Sequence, residues 1–224
     1  MNNVEAINTI DTVNAMNNPV VGQGLLPAWN DAVHDAQTVF RSLLKALSEP
    51  GSIQRLSVQL QAPAPLHLAT AAACLALMDF ETSTWLAPDL DNEAVRAYLR
   101  FHCGLPLVTD KTLANFVVLN APLQNLDLQE YAQGSMTYPD KSATLLIQVD
   151  DLENGPENLI TGPGIKESGN FRVAGLPADF VSRWQQNNLG FPQGVDIIFC
   201  CRDALLGLPR TSRIEKKDNA CTSQ

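Results

Sequence analysis

The chain has no apolar run long enough to cross a membrane, about 18 residues, and its first residues lack the charged-then-apolar order of a signal peptide. A cytoplasmic protein with no membrane partner is expected. Positive charge is also scarce: 15 Lys and Arg stand against 24 Asp and Glu, for a formal net charge of −9. That balance argues against a nucleic-acid surface, which needs clustered cations. It leaves room for a local anion site, because a few arginines suffice for one phosphate. Histidine is rarer still. His34, His67 and His102 fall in three separate segments with no i, i+4 pair and no carboxylate cluster beside them, so no metal site is expected. The five cysteines (Cys74, Cys103, Cys200, Cys201 and Cys221) are odd in number and form no C-x-x-C pair, which reads as reduced structural thiols.

Catalytic motifs are missing as well. No G-x-S-x-G elbow occurs, and Cys103 beside His102 on one helix cannot form a Cys–His pair, because helical neighbours point in different directions. Lys45, Lys111, Lys141 and Lys166 are the internal lysines, and none lies in an apolar stretch that would depress its pKa toward Schiff-base chemistry. No pyridoxal phosphate or other cofactor is therefore expected.

What is present suits one folded domain: 224 residues, 45% hydrophobic and 17% charged. Residues 1–29 show no helical or strand period and read as a flexible tail that docks at most by its apolar end; 216–224 read the same way. Between them lies one domain, residues 30–215. DAVHDAQTVFRSLLKALSEPG is the strongest helix, with Asn30 or Asp31 as cap and Pro50-Gly51 as stop. Val33, Ala36, Phe40, Leu43, Leu44 and Leu47 predict a core-facing stripe, and His34, Arg41 and Lys45 a basic outer one. PLHLATAAACLALMDF reads as a buried helix, NEAVRAYLRFHCG as a helix capped by Asp91 and ended by Gly104, and LPADFVSRWQQNNLGF as a fourth. SIQRLSV, TSTWLA, NFVVLN, ATLLIQV and VDIIFC read as strands, and LLGLP as a short closing strand or turn. Helices interleaved with apolar strands predict an α/β sandwich with a mixed sheet.

Two strings carry more than secondary structure. TGPGI (161–165) could turn backbone N–H groups toward a phosphate, but it lacks a Walker lysine and a following helix, so a plain turn is the reading. GFPQGVDIIFC, followed by LLGLPRTSRIE, sets Asp196 at a strand mouth and Arg210 and Arg213 just past the next reversal. A charge at such a rim is partly desolvated and needs a partner. Asp196 is expected to pair with Arg210 in a structural role; a ligand or subunit contact is the rival.

DAQTVFRSLLKALSEPGSI, LRFHCGLPLV, ATLLIQV, ITGPGI and FPQGVDIIFC with LLGLPRTSRIE resemble, in order over about residues 30 to 215, the PhnH family, the H subunit of the bacterial carbon–phosphorus lyase system. The resemblance implies an α/β open sandwich similar to pyridoxal-phosphate-dependent transferases without that cofactor's site. It implies a homodimer that also joins the G, I and J subunits in a core complex. The G, H and I subunits together are credited with displacing adenine from ATP by an alkylphosphonate, giving ribose 1-alkylphosphonate 5-triphosphate, with the nucleosidase activity attributed mainly to I. The family offers no catalytic residue of H to carry over. This chain departs from the pattern in a longer tail before Trp29 and in an acidic stretch near 150 to 159, which argues against an anion site there. The leading expectation is an accessory subunit with a possible phosphonate or nucleotide ligand. The alternative is a free-standing enzyme using Arg41, Arg100 and Arg210 as clamps and His102 or Asp196 as acid or base.

Overall fold

The computed structural model describes residues 25–217. Most of the expected N-terminal tail and the residues from 218 onward lie outside that range. Leu26 and Trp29 already pack against the core, ahead of the boundary expected at residue 30.

Helix α1 (Ala32–Ser48) starts where the Asp31 carboxylate accepts from the Val33 and His34 N–H groups at 3.1 and 3.0 Å. Asp35 accepts from the Asp31 N–H in return at 3.0 Å, so the cap is reciprocal. Pro50 and Gly51, the latter at φ +81°, end it. Its buried face corrects the expected stripe. Val39, Leu43 and Ala46 are buried, whereas Val33, Phe40 and Leu44 are exposed. The helix rests on a narrow line because it touches strand β8 (Ala204–Leu208) backbone to backbone: a Cβ on Gly207 would sit 2.4 Å from the Ala46 carbonyl oxygen. At that spacing the side chains to either side of the line are carried outward. His34, Arg41 and Lys45 face solvent as expected.

The remaining elements are β1 (Ile53–Arg55), α2 (Leu68–Leu77), β2 (Thr84–Leu86), α3 (Glu93–Cys103), β3 (Phe116–Asn120), β4 (Thr144–Gln148), β5 (Glu157–Thr161), β6 (Gly169–Arg172), α4 (Phe180–Leu189), β7 (Asp196–Cys201) and β9 (Arg213–Lys216). Asn92, not Asp91, caps α3, and Gly104 closes it in the left-handed conformation. The main sheet runs β1-β8-β7-β4-β3-β2. Strands β2, β3, β4 and β7 are parallel, while β8 is antiparallel to both β7 and β1. The fold is thus mixed α/β with a mixed sheet.

Residues alternate across that sheet as a pleat requires. Val118, Leu146 and Ile198 face the core beneath the α1–α3 layer. Val117, Leu145 and Ile197 face the opposite core, closed by α4 and a small antiparallel sheet, β6-β5-β9. That small sheet was not expected. β9 occupies RIEK and runs across the boundary expected at residue 215.

Candidate functional site

Asp196 opens β7 and Arg210 follows β8, so the antiparallel pairing of these strands brings the two together. The Asp196 carboxylate accepts from the Arg210 backbone N–H at 2.7 Å and from its Nε at 3.1 and 3.2 Å, with Nη2 completing the fork. Nη1 donates to the carbonyls of Pro139 and Pro192 at 2.9 and 3.2 Å, and Nη2 also donates to Ser142 Oγ. The side chains are only 14% (Arg210) and 22% (Asp196) exposed. Every arm of this guanidinium is committed to the protein, and it ties the loops entering β4 and β7 to the exit of β8. The expected pair exists as a structural clasp.

The other sequence candidates do not converge. Arg41 is exposed on α1. Arg100, on α3, lines a separate cleft with Trp85, Thr109, Arg96 and Asp91. There Arg96 holds the Asp91 carboxyl below its usual range, and Arg100 adds a weaker effect in the same direction. His102 Nε2 donates to the Leu26 carbonyl at 2.9 Å and its ring packs edge-on against Tyr98 and Phe101, which makes it an anchor for the incoming chain. Arg41, Arg100 and Arg210 share no contact and no cleft among the described residues, so they form no common clamp.

The carboxyl ends of parallel strands are where α/β sheets ordinarily bind ligands. Here Gln148 occupies that position, buried at the end of β4. Its Oε1 accepts from the His67 N–H and Thr70 Oγ1 at 2.6 and 3.0 Å, and its Nε2 donates to the Pro65 carbonyl and Asn120 Oδ1, both at 3.0 Å. All four of its bonding positions are used. Beside it, His67 Nδ1 accepts from the Arg202 N–H at 3.2 Å. Burial lowers the His67 pKa, with Asp150 opposing the shift. The thiols are equally quiet: burial pushes Cys103 and Cys200 up to about 12, and Cys74 up strongly. A thiol so shifted is no nucleophile near neutral pH.

A different opening draws on the strings read as turns. A cleft of 520 Å³ lies between the end of β5, the end of α4 and the start of β9, lined by Thr161, Gly162, Asn188, Phe191, Thr211 and Arg213. Asn188 Nδ2 donates to the Arg210 and Ser212 carbonyls at 2.8 and 3.3 Å, and Trp184 Nε1 donates to the Ser212 carbonyl at 2.8 Å. These bonds fix the wall formed by residues 210 to 212. The TGPG turn closes against it: a Cβ on Gly162 would stand 3.1 Å from the Thr211 carbonyl oxygen. Phe191, Thr211 and Arg213 were visible in the sequence only as flanks of turns. Their meeting depends on β5–β9 pairing, which joins Thr161 to Arg213.

The fold and these sites define a mixed α/β protein whose Asp196–Arg210 pair is bonded throughout to its own chain and whose described residues open several surface clefts. Residues 27–215 match the family model described as bacterial phosphonate metabolism protein (PhnH), and the chain belongs to that family. It is 37% identical over 190 residues to alpha-D-ribose 1-methylphosphonate 5-triphosphate synthase subunit PhnH of Rhizobium meliloti (strain 1021), covering 85% of this chain and 95% of that one. It is 28% identical over 182 residues to the putative C-P lyase subunit protein HtxG of Stutzerimonas stutzeri, covering 81% and 86%.

Proposed function

We propose that this chain is an accessory subunit of the carbon–phosphorus lyase core complex, supporting transfer of an alkylphosphonate onto ATP with displacement of adenine. Its fold in this reading is the open sandwich of pyridoxal-phosphate-dependent transferases put to use without the cofactor. The relatives' names, both of subunits, support the assignment. The structural observation that carries it is an accumulation of exposed apolar side chains at one end of the main sheet. Phe80 precedes β2, Leu113 precedes β3, Met136 and Tyr138 precede β4, and Leu189 precedes β7, all of them exposed. Because these four strands are parallel, their entry loops gather at the same end. Phe101, 72% exposed near the end of α3, joins them there, since Gly104 lies beside Phe80. Exposed apolar residues concentrated in this way mark a protein interface.

Contacts with the G, I and J subunits belong at this end. The outer line of α1, with Val33, Phe40 and Leu44 spaced seven and four apart, is a separate strip suited to a twofold contact with a second copy.

The test reconstitutes the step. Incubated with ATP and methylphosphonate, the chain releases no adenine alone and supports release when the partner subunits are added. The Phe101→Asp, Leu189→Asp double variant melts within a few degrees of the parent, fails to co-purify with the partners and supports no release. Adenine release by the chain alone would instead establish a free-standing enzyme.

A further inference from the structure

The 520 Å³ cleft at the end of β5 differs in its chemistry from three other openings among the described residues. Those three clefts mix both signs: Asp150, Asp151, Glu153 and Asp203 with Arg55 and Arg202 in one, Glu157 with Lys216 and Lys217 in the second, Asp91 with Arg96 and Arg100 in the third. This one has no carboxylate among its lining residues, and it has Arg213. Among the described residues Arg213 has no carboxylate within 4 Å. In a chain of net charge −9, a cleft with an unpaired guanidinium and no acid in its lining is suited to an anion.

The remaining lining says what the anion is attached to. Phe191, 58% exposed, lines this cleft and supplies it with an aromatic ring on which a flat ligand can stack. Thr161 and Thr211 add hydroxyls, and Asn188 adds an amide oxygen with no hydrogen bond among the described residues. A bare phosphate needs no aromatic wall, and an apolar ligand needs neither a guanidinium nor hydroxyls. The volume falls within the range of about 300–1,000 Å³ typical of small-molecule sites.

The walls are also held in advance. Phe191 sits between Asn188, bonded to the 210–212 segment, and Pro192, whose carbonyl accepts from Arg210. Thr211 sits between two residues whose carbonyls accept from Asn188. The Asp196–Arg210 clasp therefore braces both sides of the opening, so little ordering is left for a ligand to impose.

The geometry points to this cleft as a binding site for a phosphorylated nucleoside, with the base on Phe191 and the phosphates at Arg213. The choice of ATP as the nucleotide rests on the functional reading above; the cleft's chemistry does not. Calorimetric titration of the full chain with ATP, adenosine and inorganic triphosphate separates the two halves of the site. ATP is expected to bind. Arg213→Gln should weaken ATP about tenfold or more and leave adenosine unchanged, while Phe191→Ala weakens both by about tenfold, the usual scale for loss of a base-stacking ring.

Triphosphate binding as tightly as ATP, with Phe191→Ala without effect, would overturn the nucleoside assignment. So would unaltered ATP affinity in both variants, or no ATP binding by the chain either free or assembled with its partners. Loss of assembly in Phe191→Ala or Arg213→Gln would show a subunit contact in place of a ligand. Adenine release by the assembled parent proteins is scored separately: its failure defeats the functional reading while the titration still decides the cleft.

Discussion

Arg210 holds its partner through several bonds at once, so removing either member leaves polar groups stranded in a half-buried place. Asp196→Asn and Arg210→Gln should each cost about 2–4 kcal/mol by urea unfolding. The double variant should cost less than the sum by about 1 kcal/mol or more. Strictly additive losses would mean that the bonds to Pro139, Pro192 and Ser142 matter and the ion pair does not. This contact was legible in the sequence because each residue is the charge nearest an apolar run, and a strand reversal joins the two runs. The His67 environment was not legible, since Gln148 and Arg202 reach it from distant segments. Burial lowers the His67 pKa in the folded state, so the unfolded chain takes up the proton first. The resulting stability is intact above the ordinary histidine value of about 6.5, declines as pH falls below it, and levels off once the folded form is also protonated. Melting temperature should therefore drop between about pH 7.5 and 5.5, and drop less in His67→Asn, which keeps an acceptor but cannot titrate. Equal slopes in the two proteins would remove His67 from the account.

Helix α1 was legible as an element, and its cap and stop are where the chain's polar and turn residues put them. Its face was not. Six apolar residues spread over a wide arc, and periodicity cannot say which edge of that arc meets the sheet. Packing decides it: Gly207 lets the helix backbone approach β8, and the contact line runs through Val39, Leu43 and Ala46. Leu43→Ala should then cost about 2–5 kcal/mol. Leu44→Ala, at a position 52% exposed, should stay within about 0.5 kcal/mol in the monomer. Chemical denaturation of both variants at low protein concentration checks this, and a large loss in Leu44→Ala would restore the wider core face. The small sheet escaped reading for a related reason. β6 and β9 each bury one residue, Phe171 and Ile214, too little alternation to announce a strand.

At the scale of the molecule, the mixed α/β class followed from apolar strands interleaved with helices, because a parallel strand buried on both faces has a recognisable composition. The apolar end did not follow. Its members are scattered singly through loops, and only parallel pairing collects them. The same sheet order governs when the molecule can first be made. Strand β1 ends at Arg55, yet its only neighbour in the sheet, β8, begins at Ala204. A ribosome adding about 5–20 residues per second takes roughly 7 to 30 seconds to cover that interval. Throughout it, the first strand and the helix that lies on β8 have been synthesised while their partner has not. Until β8 is made, the line through Val39, Leu43 and Ala46 has no sheet to rest on. A message cut short before residue 204 still encodes the four parallel strands, but it leaves β1 with no neighbour in the sheet and α1 with no strand to rest on.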